Sequence, residues 1–304
     1  MLTSIPLTAK LSNTLLAFYC RHMPNHPGKW RVAAALEKLA RDSWVTTRIA
    51  RCQGIWYELD LRDFVARSIF LNLYENSEVR CLRKILRSGS IVVDVGANIG
   101  FYSLLCAQLI GDAGHVYAFE PVASTADRLV RNIELNHARN VTPIRSAVGS
   151  RCGTTAMGPV PEKNAGKAQI ATNIGAPCEQ VPITSLDSFM AHSGLTRLDF
   201  VKVDIEGFEM EFLSGAKISI ARFRPVLLME LNPGALGQYG TTPGAVIAAL
   251  KGAGYDVQLP TRRGLRPLSS YPHGRAYCNV FAIPVSITSP QTPGVETRRL
   301  RRTE

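Results

Sequence analysis

Several absences narrow the reading before any motif is considered. The seven cysteines (20, 52, 81, 106, 152, 178 and 278) are odd in number, scattered, and include no C-x-x-C pair. That excludes a zinc knuckle or a disulfide framework, and points to free thiols in a reducing, cytoplasmic setting. No apolar run reaches the ~18 residues needed to span a bilayer. The stretch from Leu11 to Tyr19 comes nearest to an export signal, but Ser12, Asn13 and Thr14 interrupt it and no small-residue cleavage site follows. Histidine is scarce, at six in 304 residues. His115 and His137 fall at the ends of expected elements and His273 in a loop, so all three are read as surface residues rather than catalysts.

Against these absences stand an apolar fraction of 46% and a net charge of +11. The first is enough for a sizeable core. The second permits a phosphate-rich partner or an anionic surface without demanding one. Residues 1–84 read as a largely helical N-terminal region, with Pro24, Pro27 and Gly28 separating a first helix from a second over Trp30 to Ile49. A short strand is expected at Ile55 to Leu61, then a helix capped by Asp63 and another over Glu78 to Leu86. Residues 285–304, with Arg298, Arg299, Arg301 and Arg302, read as a basic disordered tail.

Between 85 and 284 the pattern changes to strand–helix alternation. Strands are expected at Ser90 to Val95, His115 to Phe119 and Val141 to Val148, with helices at Phe101 to Ile110 and Ser124 to His137. This βαβαβ succession calls for parallel strands with helical crossovers. Residues 150–180 read as a loop or hairpin insertion. Further strands follow at Asp199 to Asp204, Pro225 to Glu230, Tyr255 to Leu259 and Ala276 to Ile283, with helices at Phe208 to Lys217 and Pro243 to Gly252. The fold class is α/β.

The run Asp94-Val95-Gly96-Ala97-Asn98-Ile99-Gly100 sits where a strand gives way to a helix. Gly96 and Gly100 allow a close backbone approach to a ligand, and the helix start offers unpaired N–H groups. Asp94 at the strand end would repel a phosphate, while Glu120, at the end of the next strand, can accept both hydroxyls of a ribose. Acid at each strand end, without the G-x-G-x-x-G order, suits a cationic nucleoside such as S-adenosylmethionine better than a pyrophosphate.

The segment from Ser90 to Glu120-Pro121, the run Asp199 to Glu209 (DFVKVDIEGFE) and the upstream Tyr74-Glu75 together resemble the FkbM family of S-adenosylmethionine-dependent methyltransferases. The resemblance covers roughly residues 55 to 232. It implies a Rossmann-like methyltransferase sheet of seven mostly parallel strands, the last antiparallel, with helices on both faces. It also implies that Asp94, Gly96, Asn98 and Gly100 line the methionine end of the cofactor, Glu120 the ribose, and Ser146 and Ala147 the adenine. Gly149-Ser150 departs from the family's more frequent acidic residue at that place. Known members act on hydroxyls of sugars and polyketide-like products, which implies O-methylation of a small-molecule or glycan acceptor.

A second constellation follows strand four. Lys202 shares a strand face with Asp204, and a buried lysine is costly unless paired. It either pairs with Asp204 or a neighbouring acid, or faces the cleft. Asp204, Glu206 and Glu230 are the candidates for the general base that an alcohol nucleophile benefits from. Glu209 reads as an ordinary first-turn helix acid. The three candidate acids also have the chemistry of Mg²⁺ ligands, but their pattern does not single out that role, and no metal is expected.

Three other readings compete. A nicotinamide dehydrogenase would want a different glycine spacing. A nucleic-acid methyltransferase acting on base amines would want an Asp/Asn-Pro-Pro-aromatic turn where Asp204-Ile205-Glu206-Gly207 stands, so nucleic acid is not the expected partner. A non-enzymatic module would dock on an anionic membrane through its basic termini. Residues 1–84 and 150–180 are expected to shape the acceptor site.

Overall fold

Why a sheet forms, and which of its edges is polar, follows from five short apolar segments that each carry one or two polar residues. The computed structural model describes residues 7–23, 28–29, 31–32, 35, 47–159, 168–171 and 178–285. Helix α1 (Leu7–His22) precedes a hairpin of β1 (Thr47–Cys52) and β2 (Ile55–Asp60). Gln53 and Gly54, both at positive φ, turn that hairpin. Helix α2 (Phe64–Phe70) starts at Asp63, whose carboxylate accepts the Ala66 N–H at 2.9 Å. Next come α3 (Asn76–Ile85), β3 (Ile91–Val95), α4 (Phe101–Ile110), β4 (His115–Phe119), α5 (Ala123–Leu135), β5 (Val141–Ile144), β6 (Ala147–Val148), β7 (Gly153–Met157) and β8 (Glu179–Thr184). The chain continues with α6 (Leu186–His192), β9 (Phe200–Val203), α7 (Glu209–Ser214), α8 (Lys217–Phe223), β10 (Val226–Leu231), α9 (Pro233–Gln238), α10 (Pro243–Gly252), β11 (Tyr255–Thr261), β12 (Gly264–Pro267) and β13 (Cys278–Pro284).

The main sheet has eight strands in the order β12-β11-β13-β10-β9-β3-β4-β5. Strands β5, β4, β3, β9 and β10 run parallel, and β13 is antiparallel to both β10 and β11. Seven of these strands follow the expected Rossmann-like plan. The eighth, β12, is an edge strand paired back onto β11, too short and polar to be read from its alternation.

Other expectations are corrected by pairing. The single strand expected over Val141 to Val148 is two strands in two sheets: β5 pairs with β4, whereas β6 joins a three-stranded sheet of order β6-β8-β7. A tight turn, with the Ser146 N–H on the Ile144 carbonyl at 3.0 Å, breaks the run. The helix expected over Phe208 to Lys217 divides into α7 and α8 around Gly215, where a Cβ would lie 2.0 Å from the Gly149 carbonyl oxygen. Helix α6, capped by Ser185, had no counterpart among the expected elements. Most of the helix expected over Trp30 to Ile49 lies outside the described residues, and Thr47 to Ile49 belong to β1. The tail expectation for 285–304 also lies outside them, apart from Val285.

Two apolar layers sandwich the sheet. One gathers Val92, Val116, Phe200, Leu228 and Phe281 against helices α1 to α4, with Leu16, Tyr57, Leu59, Ile69 and Leu82 fully buried. The N-terminal region is thus continuous with this core. The opposite face gathers Val93, Val95, Val201, Val203, Leu227 and Met229 against α6, α8 and α10. No helix among the described residues is long and apolar enough to cross a membrane. None of the seven cysteines is in a disulfide, and five of them are buried.

Candidate active site

Parallel pairing aligns the carboxyl ends of the central strands. Val95 is level with Phe119 and with Val203, so Gly96, Glu120 and Asp204 leave the sheet at one edge, where open α/β sheets bind ligands. Register does more than this. Asp94 is level with Lys202, Lys202 with Leu228, and Glu230 with Asn279. Because level residues share a face, Asp94, Lys202, Glu230 and Asn279 form a polar row across four strands, near the carboxyl ends of β3, β9 and β10. Helices α3 and α4 cover it with Glu75, Glu78 and Tyr102.

Beyond this edge lies a cavity of about 540 Å³, within the ~300–1,000 Å³ range of small-molecule sites. Of the sequence-selected residues, Gly96, Asn98, Glu120, Ala147, Asp204, Glu206 and Glu230 line it. Asp94, Gly100, Ser146 and Lys202 stand behind the wall. Asp94 is buried and accepts the Ser103 hydroxyl at 2.6 Å. The Ser146 hydroxyl donates to the Ala147 and Pro182 carbonyls at 2.9 and 3.2 Å, tying the β5–β6 turn to β8.

The glycines meet a demand beyond the one expected of them. Gly96 has φ +79, and a Cβ there would lie 1.9 Å from the backbone oxygen of Asp204. A Cβ at Gly100 (φ +90) would lie 2.7 Å from Leu129 Cδ1. Chain-to-chain contact, not only approach of a ligand, therefore requires them.

Glu120 is held by the turn that it faces. Its Oε2 accepts the Asn98 N–H at 2.9 Å and its Oε1 the Val122 N–H at 3.0 Å. Asn98 reaches that position through left-handed backbone, φ +51. One lone pair on each carboxylate oxygen remains for a diol. Burial pushes the Glu120 carboxyl up to about 7, against the pull of the two backbone donors. The site thus presents a fixed carboxylate at the end of the second central strand beside a backbone turn.

Of the two placements open for Lys202, the first holds. Its ammonium is 1% exposed and lies 3.2 Å from Asp204 Oδ2, over the Tyr102 ring at 5.2 Å. Burial alone would lower its pKa, but Asp204, Glu75, Glu230 and Asp94 outweigh that and hold it cationic. One cation serves several acids, so burial raises the rest: Glu75 to about 7, Asp94 to about 6, and Glu230 well above the ordinary range. Asp204, Glu206 and Glu230 each place an oxygen within 4.8 Å of the others. This is an oxygen set that a divalent cation accepts, beside an ammonium that already compensates Asp204.

Glu209 stands in the first turn of α7, as expected, but not at the surface. It is buried, accepts the Gly207 N–H at 3.2 Å, and leaves Oε2 without a partner. Burial pushes its carboxyl up to about 7. Glu75 had served only as a marker of resemblance. It lines the cavity, accepts the Tyr102 hydroxyl, and accepts Asn279 Nδ2 at 3.0 Å. Its left-handed backbone (φ +42) at the start of α3 leaves no mark in a one-dimensional pattern. Tyr277, Met157 and Ile170 also line the cavity and come from segments without a motif.

Comparison with known proteins speaks to the family rather than to the site. The profile of the methyltransferase FkbM domain matches residues 94–257. The hexuronic acid methyltransferase AglP of Haloferax volcanii is 29% identical over 163 residues, covering 54% of this chain and 60% of that protein. Methyltransferase sdnD of Sordaria araneosa is 31% identical over 160 residues, covering 43% of this chain and 61% of that protein. The chain thus spans about 60% of the length of these two curated relatives. Among solved structures, a methyltransferase FkbM from Methylobacillus flagellatus aligns over 90% of this chain and 60% of its own, at 15% identity and a TM-score of 0.42.

Proposed function

Because the chain belongs to the FkbM family of S-adenosylmethionine-dependent methyltransferases, we propose that it O-methylates a hydroxyl of a saccharide, with Glu230 as the proton acceptor. The observation that carries this is one cavity wall holding both halves of the chemistry. Asn98 and Glu120 lie at the ends of β3 and β4, and Glu230 and Asn232 at the end of β10. A relative at 29% identity bears the name of a hexuronic acid methyltransferase, which supports a sugar acceptor.

When bound, S-adenosylmethionine supplies a sulfonium methyl group, open to in-line displacement by an oxygen nucleophile. The chain's own residues do the rest. The Glu120 carboxylate takes the ribose hydroxyls, and Ala147 and Val148 offer an apolar wall on the base side. Acidic groups along the row favour a cationic donor over its neutral product. Glu230 stands on the cavity wall with a proton affinity raised by burial and by Asp204. That is the property a general base for an alcohol needs. Lys202 and Asp204 pair at 3.2 Å and fix each other beside it. Glu230 would take the proton of the acceptor hydroxyl as its oxygen gains the methyl group, the methyl–sulfur bond breaking to leave a neutral thioether.

The test is transfer of a labelled methyl group to a panel of hexoses and hexuronates, with the product's methyl ether located by mass spectrometry. Wild type is expected to modify at least one sugar. Glu230→Gln is expected to lower kcat by about 10²–10⁴-fold while cofactor affinity stays within threefold. Label found on nitrogen or carbon, or a Glu230→Gln enzyme with undiminished kcat, overturns the assignment.

A further inference from the structure

Next to the main cavity lies a smaller one of about 250 Å³, and the two share Glu75 and Tyr277 as a common wall. Its other lining residues include Glu78, Arg275 and Asn279. At that size it lies below the ~300 Å³ at which drug-sized pockets begin, so it suits one ring of a ligand whose remainder lies elsewhere.

The chemistry of its wall is specific. Asn279 is buried, yet only half of its amide is satisfied. Nδ2 bridges Glu75 Oε1 at 3.0 Å and Glu78 Oε1 at 3.4 Å, while Oδ1 has no partner. A buried polar atom without a partner is costly and calls for an explanation. Arg275, an exposed cation, belongs to the same wall. At the junction stands Tyr277, an aromatic ring left 50% exposed. Burial pushes its phenol up to about 12, so the hydroxyl remains a donor at neutral pH. An amphipathic ring flanked by amide, carboxylate and guanidinium groups matches the faces of a sugar: a C–H face for the ring, and hydroxyls that both donate and accept. Two carboxylates on the wall disfavour an anionic unit.

We infer that the smaller cavity is a second saccharide subsite, which takes a neutral, hydroxyl-rich ring joined to the one methylated in the main cavity, with Tyr277 as the platform between them. The inference rests on the saccharide reading above and extends it: the substrate is a glycoside or oligosaccharide rather than a free monosaccharide. Glu78 and Arg275 hold the adjoining ring, and Tyr277 sets the distance between the rings.

The experiment compares free hexoses and hexuronates with neutral disaccharides that carry the same rings. Methyl transfer is measured as kcat/KM, and binding by calorimetry in the presence of S-adenosylhomocysteine. Disaccharides are expected to exceed their monosaccharides by at least tenfold in both readouts. Glu78→Gln, Arg275→Ala and Tyr277→Ala are each expected to cut that ratio by roughly tenfold, the scale of one hydrogen bond to a charged group or of one lost stacking platform. Arg275 and Tyr277 are exposed, so their loss leaves the core intact. Equal use of both sugar sizes, or a ratio unmoved by all three variants, overturns the subsite and leaves the saccharide function standing. A panel in which no sugar is bound or methylated by protein that still binds S-adenosylhomocysteine overturns both.

Discussion

Replacing Glu120 by glutamine isolates the contact proposed to hold the ribose. In the wild type, each carboxylate oxygen accepts one backbone N–H, from Asn98 at 2.9 Å and Val122 at 3.0 Å. Glutamine turns one of those acceptors into an NH₂ group, so one buried N–H loses its partner, at a cost of about 1–3 kcal/mol. The same change removes a buried charge that resists ionisation, its pKa being about 7, so the two effects on folding oppose each other and Tm moves little. Binding has no such compensation. One charge-assisted hydrogen bond to the ribose, about 1.5–3 kcal/mol, is lost, which predicts a roughly 10- to 150-fold higher Kd for S-adenosylhomocysteine at pH 8. Proton linkage adds an internal control. Binding needs the carboxylate form, and with a pKa of about 7 in the free protein about one molecule in ten is ionised there at pH 6. Wild-type affinity therefore rises with pH, up to about tenfold between pH 6 and 8, whereas the Gln variant has lost this source of pH dependence. Calorimetry at both pH values reads out each term. A variant within threefold of wild type at pH 8, with an unchanged slope, would refute the ribose assignment.

Three further outcomes follow from the same packing. Gly96→Ala places a methyl group 1.9 Å from the Asp204 carbonyl oxygen at φ +79, so it should cost about 3 kcal/mol or more in urea unfolding and abolish cofactor binding; a variant of wild-type stability would contradict the tight β3–β9 approach. Lys202→Met removes the one cation of the polar row and should cost about 3–5 kcal/mol at pH 8, a deficit that shrinks toward pH 5 as Glu75 and Asp94 protonate. A constant deficit across that range would show that the lysine acts by packing alone. Finally, Glu75, Asp94, Glu120 and Glu209 all have folded-state values (about 7, 6, 7 and 7) above their ordinary ones. The folded protein then binds more protons than the unfolded chain, so their contribution is fully present below about pH 4 and is lost as pH rises through 7. The ligand-free protein should melt at higher temperature at pH 6 than at pH 8, by about 2–4 °C for each kcal/mol recovered, and the opposite order in a thermal scan would refute it.

What the chain determines on its own is local. Continuous apolar runs such as Val92-Val93 and Leu227-Leu228-Met229, separated by helical stretches, dictate buried parallel strands, because only a sheet covered on both faces hides them. The Gly96-Ala97-Asn98 turn and Glu120 were legible for the same reason, since strand ends and the turns after them are set by neighbours in sequence. The small sheet of β6, β7 and β8 was not, because its pairing joins segments far apart in the chain and its alternation is weak. The site behaves likewise. Asp94, Lys202, Glu230 and Asn279 are each visible as a polar residue in an apolar strand, yet nothing in the sequence says that they are level with one another. Register between distant strands decided that. So did the placement of Glu75 from α3 and Tyr102 from α4 over the row, which makes one buried ammonium answer to several carboxylates. Strand identity comes from hydrophobicity along the chain, whereas shared charge depends on distance in space, and only the folded sheet sets that distance.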